Sequence, residues 1–104
     1  MFEQIEALEV ELGDVESRLA DPAVISDPGQ LEAVGRRHKE LEAALAVGRP
    51  LRAAGEDLDA ARELLESADG EERDQLQLEI SSLEEEIERL EGELRVRLLP
   101  RDPN

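Results

Sequence analysis

The sequence predicts an all-α fold, an elongated antiparallel three-helix bundle with coiled-coil character. Three observations predict it. Leu (17), Glu (20) and Ala (12) make up nearly half of the 104 residues, and these are strong helix formers, whereas sheets favour β-branched and aromatic side chains. Apolar residues recur at spacings of three and four, which places them on one stripe of a helix. Each periodic run is bounded by Asp, Pro or Gly at positions suited to starting or stopping a helix.

The first helix is expected over 2–20. Ile5, Leu8, Leu12, Val15 and Leu19 form its seam, and Phe2 extends it. Asp21-Pro22 stops it, because Pro22 cannot donate the next hydrogen bond and restricts the residue before it. In the connector, Val24 and Ile25 are too apolar for an idle loop. They read either as a plug for the end of the bundle or as an exposed docking tip.

The second helix is expected over 28–68. Asp27 is its N-cap, Pro28 occupies the first helical position, and Gln30 stands where a side chain can reach back. Leu31, Val34, His38, Leu41, Leu45 and Gly48 form one run, and Leu51, Ala54, Leu58, Ala61, Leu65 and Ala68 another. Between Gly48 and Leu51 two spacings of three fall side by side, a slip expected to overwind the supercoil locally. Pro50 lies at the same place and frees the carbonyl four residues back. The long helix is therefore expected to kink near Gly48–Pro50, with a break into two helices as the alternative. Ala43, Ala44, Ala46, Ala53 and Ala54 leave this middle short of bulky apolar groups, which predicts the least stable stretch of the helix.

The third helix is expected over 71–99, capped by Asp69 with Glu72 in the capping-box position. Its seam is Leu76, Ile80, Leu83, Ile87, Leu90 and Leu94. Glu85–Arg89, Glu91–Arg95 and Glu93–Arg97 are spaced to form i,i+4 ion pairs with the acid first. Residues 1–99 read as one helical domain and 100–104 as a linker. Short connections place the first and third helices against the second, antiparallel to it, and leave no central pocket. So thin a core predicts a marginal fold, a dimer, or a piece that docks on a larger protein.

With 28 acidic against 12 basic residues the chain carries −16 at pH 7. That charge argues against DNA or an anionic membrane as the direct partner, since both require clustered Lys and Arg. A basic protein surface is the expected partner class. The absence of Cys excludes disulfides and thiol chemistry. No apolar run approaches a membrane span and the start is acidic, which together imply a cytoplasmic location.

No residue is assigned a catalytic, cofactor-binding or metal-ligating role, and no cofactor is expected. His38, the sole histidine, lies on the seam and reads as a partly buried packing residue. Glu84, Glu85, Glu86 and Glu88 point in different directions around a helix and read as a solvated face. Arg36, Arg37 and Lys39 form the one basic cluster, expected to balance acids of the flanking helices or to meet an acidic or phosphate surface. No phosphate loop or dinucleotide fingerprint is present. These residues alone describe an acidic, non-catalytic, protein-binding helical domain, with a free-standing coiled-coil adapter or oligomerisation module as the alternative.

Three segments go further. Met1-Phe2-Glu3 opens the heptads, Leu19-Ala20-Asp21-Pro22-Ala23-Val24-Ile25-Ser26-Asp27-Pro28 joins the first two helices, and Leu98-Leu99-Pro100-Arg101-Asp102-Pro103-Asn104 closes the chain. In this order and at this separation they resemble the amino-terminal helical domain of the bacterial peptide chain release factor 1 family, over all 104 residues. The resemblance implies a piece of a longer factor that terminates translation at UAA and UAG codons. The Gly-Gly-Gln loop and the codon-reading tripeptide of that family have no counterpart in these residues. It also implies a module that approaches the ribosomal stalk base and GTPase centre, with release factor 3 and the factor's remaining domains as further partners. Pro50 departs from the family, whose long helix is commonly uninterrupted.

Overall fold

The chain folds into α1 (Phe2–Leu19), α2 (Pro22–Ile25), α3 (Pro28–Leu65) and α4 (Gly70–Leu98). The computed structural model describes residues 1–100, so most of the expected linker lies outside the described residues. The three long helices match the expected runs to within a few residues. The unforeseen element is α2, a single helical turn within the connector.

Local chemistry explains most of the ends. Asp21 caps α2, its Oδ1 accepting from the Ala23 amide at 3.0 Å. Asp27 caps α3, accepting from the Gly29 and Gln30 amides at 3.1 and 3.2 Å. Gln30 does reach back, but its Nε2 donates to the Asp27 carboxylate at 2.9 Å and not to the backbone. The expected capping box at Asp69 is overturned, since no side-chain hydrogen bond caps α4. Gly70 turns the chain with φ +59, a left-handed conformation open to glycine at little cost. The expected extension of the second helix to 68 also fails. The amides of Ser67 and Ala68 bond carbonyls three residues back, and the Arg73 guanidinium donates to the Leu65 carbonyl at 3.2 Å. Orphan carbonyls at the end of α3 are thus satisfied by a tightened turn and by a side chain from α4.

α3 is unbroken through Pro50, so the two-helix alternative falls. Pro50 and Ala46 both lie on the exposed side of α3. The carbonyl that loses its partner there belongs to Ala46, and water can replace the missing amide.

α3 is the spine. Its 38 residues would extend about 57 Å, against a longest molecular dimension of 65 Å. The radius of gyration is 19.0 Å, well above the ~13 Å of a compact domain of this size. α1 and α4 both pack on α3, yet no residue of α1 has its Cα within 8 Å of one in α4. α1 lies antiparallel with Phe2 at Gly55 and Ile5 at Gly48. α4 returns antiparallel with Glu84 at Arg62 and its last turn beside Ala43 and Ala44.

This arrangement reinterprets the heptad slip. α3 carries two unbroken seams. One runs Leu31, Val34, His38, Leu41, Leu45, Gly48, Arg52 and Gly55. The other runs Ala44, Val47, Leu51, Ala54, Leu58, Ala61 and Leu65. From Ala44 to Ala54 each member of the second seam precedes a member of the first by one residue, about 100° around the helix. α1 covers the first seam and ends at Gly55. Past that point α4 is the helix left to cover Leu58 and Ala61, both buried. The two spacings of three mark a change of partner.

The two seams overlap between Leu41 and Gly55, where α3 is covered on both sides. Leu41, Leu45 and Leu51 have no exposed surface at all, and Ala44, Gly48, Ala54 and Gly55 are buried with them. The expectation that this middle is the weak stretch is thus overturned as regards packing. Its small residues let two helices approach one spine. A Cβ at Gly48 would lie 3.2 Å from Ile5 Cγ1, closer than side chains ordinarily pack. Side chains of α1 (Ile5, Leu8, Val15) and α4 (Leu90, Leu94) join one continuous core through Leu41, Leu45 and Leu51.

Candidate interaction surface

Among the described residues, no group of three or more His, Asp or Glu side chains is placed to hold a metal ion. What the fold offers is surface, and its charges sort by helix pair.

Five carboxylates organise the α1–α3 side. The Glu11 carboxylate accepts from Arg37 Nε at 2.5 Å and Nη2 at 2.6 Å, a two-point geometry, while Arg37 Nη1 donates to Glu40 at 3.1 Å. The Arg37 bond holds the Glu11 carboxyl below its ordinary range, and Glu11 in turn holds the Arg37 guanidinium well above its own. Glu9 pairs with Arg52 and lies 3.9 Å from Arg49. The hydrogen bond that Arg52 donates to Glu9 is the main cause holding its guanidinium above the ordinary range. His38 stands between two acids, Nδ1 at 3.1 Å from Glu42 and Nε2 at 3.8 Å from Glu16.

The sequence-assigned residues separate accordingly. Of the basic cluster, Arg37 does balance α1. Arg36 pairs within α3, with Glu32 at 3.0 Å. Lys39 has no carboxylate within 4.0 Å among the described residues. His38 is partly buried, as a packing residue would be, at 23% side-chain exposure. Val24 is buried as a plug, and its neighbour Ile25 is half exposed. Glu84, Glu85, Glu86 and Glu88 are exposed, and Glu84 lies 3.5 Å from Arg62.

Two features went unread in the sequence. The pairing of Glu9 with Arg49 and Arg52 follows once Phe2 is set opposite Gly55, a register that composition does not supply. On α4 none of the three expected pairs forms within 4.0 Å. Arg89 instead pairs with Glu93 at 2.8 Å, the base first. That order opposes the helix dipole and is worth a few tenths of a kcal/mol at most.

Two open grooves flank the α1 seam. The first, about 340 Å³, is lined by Leu8, Arg37, Glu40, Leu41, Ala43, Ala44 and the chain from Val96 to Pro100. The second lies along Leu12, Glu16, Glu42, Leu45, Ala46, Arg49 and Pro50. Both are open to solvent. Their lining mixes Glu and Arg side chains with Leu and Ala. No helix is long and apolar enough to cross a membrane among the described residues.

Comparison with known proteins agrees with this picture. The family model described as PCRF domain matches residues 8–104. Over 104 residues the chain is 42% identical to peptide chain release factor 1 of Geobacter sulfurreducens and 43% identical to that of Pelobacter propionicus. Both alignments cover 100% of this chain and 29% of the relative. Peptide chain release factor 1 of Alkaliphilus oremlandii is 36% identical over 106 residues, which cover 30% of it. The chain thus spans less than a third of the length of the curated relatives it matches. No solved structure matches it.

Proposed function

This chain belongs to the PCRF domain family, and on that premise we propose that it is the non-catalytic amino-terminal domain of a class I peptide chain release factor. In this reading the intact factor directs termination at UAA and UAG codons, and the present domain positions it on the ribosome. The observation that carries the proposal is the similarity of the whole chain, at 42% identity, to proteins named peptide chain release factor 1. The geometry is in keeping with it. A spine 38 residues long with helices on two sides presents extended surfaces, and a charge of −16 suits a basic protein partner more than bare RNA.

The stalk-base protein and the GTPase centre are the proposed ribosomal contacts. Release factor 3 and the remaining domains of the factor are further ones. Within this scheme 1–99 is the folded unit and 100–104 joins it to those remaining domains.

A peptide-release assay tests the reading. The intact protein encoded by the parent gene is expected to release peptide from ribosomes stalled at UAA or UAG, and not at UGA. The 104-residue chain alone is expected to release none. Release by this chain alone, or an intact protein inert at both codons, would overturn the proposal.

A further inference from the structure

We propose that α1 is a clasp, able to leave α3 as a unit while the α3–α4 hairpin stays folded. The inference does not depend on the release-factor reading. It rests on how the contacts are distributed. α1 packs on α3 and α2, and no Cα of α1 lies within 8 Å of one in α4. Among the described residues the Arg–Glu pairs of α1 all go to α3, through Glu9 and Glu11, and both carboxylates are solvent-accessible. Such pairs weaken as salt rises.

The hinge is built for independence. α1 ends on its own local turn, the Ala20 amide bonding the Ser17 carbonyl. α3 begins on the Asp27 cap, which involves no atom of α1. Pro22 and Pro28 fix the backbone at the first positions of α2 and α3, so the two long helices can part without unravelling each other's ends.

The far end of α1 is held by a notch. The Phe2 ring sits where Gly55 has no side chain, and a Cβ built there would lie 2.4 Å from Phe2 Cζ. The ring stays 46% exposed, so it is a shallow seat. Undocking would bare Leu41, Leu45 and the first half of α3, and would loosen the last turns of α4 around Leu90 and Leu94. Leu58 and Ala61, which the Arg62–Glu84 pair sets opposite the middle of α4, would keep the hairpin closed.

Amide hydrogen exchange on the 104-residue chain followed by NMR tests this in two ways. Gly55→Ala evicts the Phe2 ring while raising the helix propensity of α3. Amides of α1 are expected to exchange about fivefold faster, while those of Leu76–Ile87 exchange at the same rate or more slowly. In the unmodified chain, raising salt until the screening length falls to ~4 Å is expected to increase the ratio of α1 to α4 exchange rates. Equal acceleration of α1 and α4 would show one cooperative unit and overturn the proposal. So would α1 amides indifferent to both the substitution and the salt.

Discussion

The two faces of α3 show how one helix serves two neighbours by different means. Toward α1 it presents leucines at Leu41 and Leu45, then glycines at Gly48 and Gly55, with cationic side chains at the rim. Toward α4 it presents alternating Leu and Ala from Leu51 to Leu65, and of these only Leu51 joins the central core. The α1 side is therefore a close approach fastened by charge, while the α4 side is a longer apolar zipper with one ion pair among the described residues, Arg62–Glu84. Close packing and charge make a contact that can be tuned. A long apolar seam makes one that persists.

The sharpest test of this contrast is in the stretch both neighbours share. Leu45→Ala removes a side chain with no exposed surface and is expected to cost about 2–5 kcal/mol of unfolding free energy. Leu31→Ala, on the same seam but 37% exposed and beyond the shared zone, should cost less than ~1 kcal/mol. Equal losses in chemical denaturation would break the claim that the overlap holds the molecule together.

Pro50→Ala comes next. The helix is continuous there and Pro50 is exposed, so alanine restores the bond to Ala46 and leaves no cavity. A gain approaching ~3 kcal/mol should appear as a melting temperature higher by several degrees. An unchanged or lower value would mean that Pro50 supports the helix.

Glycines separate the faces more finely. An added Cβ at Gly35 meets nothing within 4 Å, so Gly35→Ala should stabilise by about 0.5–1 kcal/mol. Gly48→Ala carries the same propensity gain but presses on Ile5, and a net loss is expected in the same denaturation experiment.

Glu11→Gln should have the smallest effect, about 0.3–1 kcal/mol at neutral pH for so accessible a pair. The Arg37 hydrogen bond depresses the Glu11 pKa in the folded chain. Its contribution is present above the ordinary carboxylate value of 4.5 and fades as pH falls through the lower folded value. The difference between variant and parent should thus close in acid. A difference that persists there would assign the effect to shape instead of charge.

Much of this architecture was legible in the residues, and the failures have physical causes. Spacing by three and four located all three long helices, because burial on one stripe is a local property of sequence. Leu12, Leu19, Ile80, Leu83 and Ile87 are partly covered as seam positions should be, and the seam leucines of the middle helix other than Leu31 and Leu65 are buried. The second seam was legible from Leu51 onward, but its extension back through Ala44 and Val47 went unread because those residues stand one position before members of the first. Small residues on two adjacent stripes look like one stripe that slips. Asp27 was readable as a cap because Pro28 and Gln30 surround it with a consistent pattern. Asp69 failed because Gly70 takes a left-handed turn that moves the carboxylate out of reach. Ion pairs between helices depend on register, which heptads alone leave open. As to the site, which surface meets a partner is a property of the assembled helices and not of any one run of residues.

Phe2 gives the most direct test of the two-seam arrangement, being the only aromatic residue among Phe, Tyr and Trp. Its ring protons should show nuclear Overhauser contacts to the Gly55 α protons and shift them by ring current. Contacts from the Phe2 ring to α4, or none beyond its own helix, would contradict the placement of α1 on the first seam.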